Sequence, residues 1–477
     1  MNGRIVMPRR RFGRFTLGGA LALLLAASLF DSACTVSAGT SNSGGGTVYP
    51  PPAAAAITDG NGHTLKTLGA VVDPGAGGFL ITVSGEVNAL TGYPYPPFDP
   101  SQTWMVDGWN WRIDKFIVVL DKITLWSNPN QSPTDQSQHG GVVAQVNGPF
   151  VVDLHKGGPV AGVGGAGEEA LPIATITNQN QNGGASFDPS TTYGFGFSTV
   201  QAPGDGSAIN VNLDATEEAD YQYMVKGGYS VYYYGTATWA GDTSGAPSGF
   251  ASCTQTSTNV SGSDDAGTLA DGGALDGGAT FGSYDFTKLP PTMTFQLGFS
   301  TPTNYVNCIN YTVSEQENQT VRGLQTSTSE STTAEVTVHM DHPFWESFQE
   351  DTPVHWDQIA AHYIGVAHPV AHTEDFIGVP FNPFTDKNGN VMPWRDCEPT
   401  YYTPPGNGAM SFSTLSVAEN PKGVCEGVTG EDASKDDCPA IRDYYDFIRY
   451  TQSTQGHLNS QGLCYIDRQF PAPAGGS

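Results

Sequence analysis

The feature that most constrains this chain is strict alternation of apolar and polar residues in short runs, punctuated by Gly, Pro, Asn and Asp. In "TMTFQLGFS", Met293, Phe295, Leu297 and Phe299 alternate with Thr294, Gln296 and Gly298. A strand turns successive side chains to opposite faces, so such a run buries one face. "TYGFGFSTV" repeats the pattern with Tyr193, Phe195 and Phe197, and "GFLITVSGEV", "GPFVVDLH", "LPIATITN" and "GYSVYYYGTATW" extend it. "DKFIVVLDKITLW" is more continuously apolar and reads as a central strand. Helical periodicity is scarce before residue 350. The expected fold is mainly β, an antiparallel β-sandwich with long loops.

Two segments depart from this pattern. From Gly241 to Ser283 the chain is rich in Gly and Asp and nearly free of large apolar groups, as expected of a long low-complexity loop. After residue 350, "TPVHWDQIAAHYIG" has the punctuation of one short helix: Thr352 as cap, Pro353 in the first turn and Gly365 as stop. "CPAIRDYYDFIRYTQST" reads as a second amphipathic helix. It belongs to a Cys-rich C-terminal appendage, residues 386–477, packed on a body spanning 57–385.

The N-terminus reads as an export signal over residues 1–33. Arg4, Arg9, Arg10, Arg11 and Arg14 precede the apolar run Leu17 to Phe30, which is short for a membrane span. "DSAC" follows, with small Ser32 and Ala33 just before Cys34 and Asp31 where an apolar residue is usual. Seven cysteines are odd for an exported chain. A lipid on Cys34 leaves Cys253, Cys308, Cys397, Cys425, Cys438 and Cys464, enough for three disulfides in an oxidising compartment. Cys253 and Cys308 flank the Gly/Asp loop and are expected to pair, leaving the other four to pair among themselves. Residues 34–56, Ser/Gly-rich and then Pro/Ala-rich, read as a flexible tether. Signal, lipidation-type cysteine and tether together resemble those of uncharacterised bacterial surface or periplasmic lipoproteins. That resemblance implies a protein held to a membrane through Cys34, and it carries no catalytic motif.

Without residues 1–33 the chain keeps 15 basic and 46 acidic residues, a net of −31. Such a surface repels phosphate backbones and argues against nucleic acid as a partner. No GxSxG, HExxH or P-loop pattern occurs, so an enzymatic role is the less favoured one.

The densest chemistry lies between His339 and His372, which hold six of the ten histidines. In "AEVTVHMD", His339 and Asp341 fall on one face of a strand, opposite Val336, Val338 and Met340. That face, with Glu335 and Thr337, is expected to be wet. His342 follows, and His355 lies nearest the start of the expected helix. His339, Asp341, His342 and His355 are therefore candidate ligands for Zn²⁺, Cu²⁺ or Mn²⁺. A pH-responsive cluster and polar residues of no special role are the competing readings. A metal-dependent hydrolase would need an open coordination position and a base, and the sequence offers no identifiable base. A different reading rests on the aromatic run Tyr93, Tyr95, Trp104, Trp109 and Trp111, a candidate stacking platform for glycan or protein partners, against ordinary core packing.

Overall fold

The computed structural model describes residues 46–97, 104–163, 167–241, 254–255, 284–317, 320–345, 354–379, 386–388, 395–397 and 443–471. The signal, Cys34, Cys253, Cys425, Cys438 and most of the Gly/Asp loop lie outside them.

The chain is mainly β, as its alternation implies. The elements that position the site are β1 (Phe79–Ser84), α1 (Glu86–Thr91), β2 (Trp109–Trp126), β3 (Phe150–Asp153), β4 (Glu169–Ile176), β5 (Gly194–Thr199), α2 (Glu218–Gly227), β6 (Val231–Trp239), β7 (Thr292–Phe299), β8 (Thr303–Val306), β9 (Thr332–Val338), α3 (Asp357–Ala361), β10 (Val370–His372), α4 (Tyr444–Gln452), β11 (Gly456–Leu458), β12 (Gly462–Leu463) and β13 (Tyr465–Arg468). The larger sheet runs β10-β7-β6-β2-β5-β8-β13, with β3 also on β2. The smaller runs β12-β11-β9-β1-β4 and ends in the short strand Val160–Ala161. Most pairs are antiparallel, but β9 with β1 and β7 with β10 are parallel, so both sheets are mixed.

The two sheets share one core. Ile81, Val83, Val336 and Val338 of the smaller sheet bury with Ile113, Phe116, Tyr233 and Phe295 of the larger. The long strand β2 is buried on both faces because α2 covers its outer side. Ile117 and Val119 pack there with Tyr221 and Met224, which explains its unbroken apolar run.

The aromatic run is core, not platform. Tyr93, Tyr95, Trp104, Trp109 and Trp111 are all buried. Trp111 stacks on Phe295 with centroids 4.2 Å apart and meets Phe344 and Trp356 edge-on or tilted. Trp109 donates Nε1–H to Asp357 at 2.8 Å. These faces are spent inside the protein.

The C-terminal segment does more than pack on the body. β11 pairs with β9 in the smaller sheet, and β13 pairs with β8 in the larger. A disulfide joins Cys308 to Cys464, not Cys308 to Cys253. The reason is that β8 and β13 are neighbours, which brings their flanking cysteines together. Cys397 is disulfide-bonded as well. The expected helices are present but start late. In α3 the first N–H groups, of Trp356 and Asp357, donate to Asp107 at 2.6 and 2.7 Å. α4 is capped by Asp443, whose side chain accepts from the Asp446 N–H.

Candidate metal centre

Three imidazoles converge at the edge of the smaller sheet. His339 directly follows β9, His342 opens the single 3₁₀ turn His342–Phe344, and His457 is the middle residue of β11. The register accounts for the meeting. His457 lies opposite Thr337, and opposed residues of an antiparallel pair share a face. His339, two residues beyond Thr337, is on that face too. The strand ends at Val338, and the 3₁₀ turn that holds Pro343 sets His342 beside the pair. One nitrogen from each ring lies within 4.8 Å of one from each of the others. All three residues are buried, at 6%, 1% and 2% exposure.

The ring geometry is specific. His339 and His457 are stacked at 4.0 Å and 4°, and His342 stands nearly perpendicular to both. Trp345 closes the group by stacking on His342 at 3.8 Å.

Hydrogen bonds assign the tautomers. His339 Nε2 lies 3.0 Å from the Ser460 carbonyl and 3.2 Å from the Glu86 carboxylate, both acceptors. It therefore carries a proton and donates. His342 Nδ1 lies 2.7 Å from Thr454 Oγ1. That hydroxyl spends its proton on the Thr451 carbonyl at 2.7 Å. His342 Nδ1 is therefore the donor, and its Nε2 keeps the lone pair. Both nitrogens of His457 are buried with no hydrogen-bond partner among the described residues. The backbone at Thr454 and Gln461 lies close enough to favour its protonated form, though burial outweighs this.

Electrostatics follow from these neighbours. Burial opposes charge on His339, but Glu86, Asp341 and the Ser460 carbonyl outweigh it and push its pKa up to about 9. Burial, and then the charge on His339, hold His342 and His457 well below the ordinary imidazole value. Without an ion the trio thus carries one positive charge, and an ion bound to all three replaces the second proton of His339.

The four expected ligands fare unequally. His339 and His342 meet. Asp341 is beside them, but β9 ends at Val338, so strand alternation no longer aims it. Its carboxylate accepts instead from Trp345 Nε1 at 3.2 Å. His355 precedes α3 and is not among the converging groups. Its backbone N–H bonds the Phe344 carbonyl, and its side chain bears on Asp107. The member of the trio that the sequence did not single out is His457. Its local sequence, "QGHLNS", carries no signal beyond a histidine beside a turn. The expected wet face of β9 is also buried. Glu335 and Thr337 are fully enclosed, beneath Glu168 and the turn at Asn459 and Ser460.

No family model, curated protein or solved structure matches the chain.

Proposed function

We propose that this is an exported, lipid-anchored β-sandwich protein that binds one divalent transition ion at His339, His342 and His457. The single observation carrying the metal reading is His457. A buried imidazole whose two nitrogens make no hydrogen bond of full geometry costs stability unless something pairs with it, and two further imidazoles lie beside it. Three nitrogen donors favour Zn²⁺ or Cu²⁺ over Mn²⁺. Bonds near 2 Å require donors roughly 3–3.5 Å apart, a spacing that ring nitrogens already within 4.8 Å of one another can reach with small movements.

Burial of all three rings favours a structural ion over a hydrolytic one, which needs a coordinated water open to substrate. The ion ties β11 to the end of β9, as the Cys308–Cys464 disulfide ties the same segment to the larger sheet. Export and anchoring are supported by the sequence of residues 1–34 alone.

The test is elemental analysis of tag-free protein, followed by calorimetric titration with Zn²⁺ and Cu²⁺. About one equivalent is expected. Binding is lost in His339→Ala and His457→Ala, and weakens as pH falls below about 9, because the ion then competes with the second proton of His339. Equal affinity in wild type and His457→Ala would reduce the trio to a packing feature.

A further inference from the structure

Three non-glycine residues with left-handed backbones surround one ring. Glu86 has φ +59°, Asn459 +52° and Ser460 +72°. For L-residues this region is sparsely populated, and residues held there cluster at functional sites. Only three other non-glycine residues among those described share it, Lys122, Asn307 and His368, none of them at the trio. Register brings the first group together. β1 and β9 run parallel with Ser84 beside Thr337, so two residues further on Glu86 comes level with His339. The left-handed turn at Glu86 folds the chain back there, and its carboxylate meets His339 Nε2 at 3.2 Å. Across the β11–β12 turn, Asn459 and Ser460 present the Ser460 carbonyl to the same nitrogen at 3.0 Å. Ser460 Oγ donates to the Glu86 carboxylate at 3.2 Å, closing the frame.

We infer that Glu86, supported by Ser460, is a positioning residue for the ion: its carboxylate fixes the Nε2–H of His339 and leaves Nδ1 as that ring's only possible ligand atom. This rests on the metal reading above. A carboxylate behind a ligating imidazole sets the tautomer, orients the ring and raises its basicity. Two acceptors on one N–H, the Glu86 carboxylate and the Ser460 carbonyl, exceed what packing requires of a buried histidine. Glycine would occupy position 86 without strain, so a residue retained there solely for the backbone has no need of a carboxylate. His339 thereby supplies one nitrogen of fixed identity, His342 supplies another through Thr454, and the uncommitted His457 completes the set.

The test compares Glu86→Gly, Glu86→Ala and Glu86→Gln in the full chain, reading metal-free melting temperature and Zn²⁺ affinity together. Glu86→Gly melts above Glu86→Ala, because it alone relieves the left-handed backbone. Both bind Zn²⁺ roughly 10–100-fold more weakly than wild type. Glu86→Gln keeps an acceptor for Nε2–H and recovers part of the affinity. With Co²⁺ as probe, its visible absorption bands shift from those of wild type. Affinity that simply tracks melting temperature across the three variants would overturn the inference, as would wild-type affinity and Co²⁺ bands in Glu86→Gln. Should the Ala variant fail to fold, the Gly and Gln variants decide alone. A wild-type chain that takes up neither Zn²⁺ nor Co²⁺ defeats the metal reading itself, a result distinct from failure of the variants.

Discussion

The rings of His339 and His457 lie parallel to within 4°, centroids 4.0 Å apart, across the edge between β9 and β11. Glu86 favours the charged form of one; burial disfavours charge on the other, whose nitrogens make no hydrogen bond of full geometry among the described residues. The asymmetry makes His457 the residue whose replacement discriminates most sharply. In metal-free protein, His457→Leu removes two unpaired buried nitrogens, an orphaning worth about 1–3 kcal/mol each way. Its melting temperature is therefore expected to equal or exceed that of wild type. Added Zn²⁺ raises the wild-type melting temperature and leaves His457→Leu unmoved. Thermal melts with and without Zn²⁺ check this, and a large metal-free loss in the variant would contradict it.

A second prediction concerns pH. Ser84 Oγ lies 2.5 Å from a Glu168 oxygen and 2.6 Å from a Glu335 oxygen. One hydroxyl has one proton, so the pair is satisfied only if one acid keeps its own. Burial, then Glu168, raises Glu335 from 4.5 to about 8. An acid with a raised folded pKa binds its proton more tightly when folded. Its contribution is complete below the unfolded value and lost as pH rises through the folded one. Asp107 and Glu217, both buried and raised to about 7, act in the same direction. These acids therefore lower stability between pH 5 and about 8, Glu335 with a slope no steeper than about 1.4 kcal/mol per unit, while neutral buried His342 and His457 act in the opposite direction below about pH 6.5, so the net fall is expected above that value. Glu335→Gln flattens part of that fall. Urea unfolding across this range measures it, and identical pH profiles for the two proteins would refute the shared proton.

The disulfide gives a third. Cys308 and Cys464 are separated by 156 residues, and closing so long a loop stabilises by about 3–5 kcal/mol in the chain-entropy account. Reduction, or paired Cys308→Ser and Cys464→Ser replacement, should lower stability by that order. Non-reducing peptide mapping should recover Cys308 joined to Cys464. A Cys253–Cys308 peptide in its place would overturn the Cys308–Cys464 bond.

The anchor gives a fourth. With a lipid on Cys34 the full chain partitions into detergent, and Cys34→Ala stays in the aqueous phase. Intact mass spectrometry of the exported protein decides it. A wild-type mass with no acyl addition rules the anchor out.

How much of this was legible depends on distance along the chain. Met293, Phe295, Leu297 and Phe299 are inward in β7 as their alternation states, because strand period is a local property. Glu335, Thr337 and His339 alternate just as well, yet their face is covered. Alternation separates the two faces of a strand but does not reveal that a distant turn, Asn459–Ser460, lies over the polar one. His339 and His342 meet, as their proximity in sequence implies. Asp341 turns to Trp345, because the strand ends three residues before it. His355 stands apart from the cluster, at the start of a helix capped by a remote carboxylate, Asp107. His457 had no local signature at all, since only the pairing of β11 with β9 gives it meaning.

That pairing also bears on when the protein can become itself. The last strands insert into both sheets, β11 beside β9 and β13 beside β8, so neither layer is finished while residues 456–468 are still being made. Contacts spanning so much chain form slowly. A chain leaving the ribosome N-terminus first stays open for most of its synthesis. On the proposed export, folding would be deferred to the far side of the membrane, where oxidant and any divalent ion would be met together with the strands they fasten.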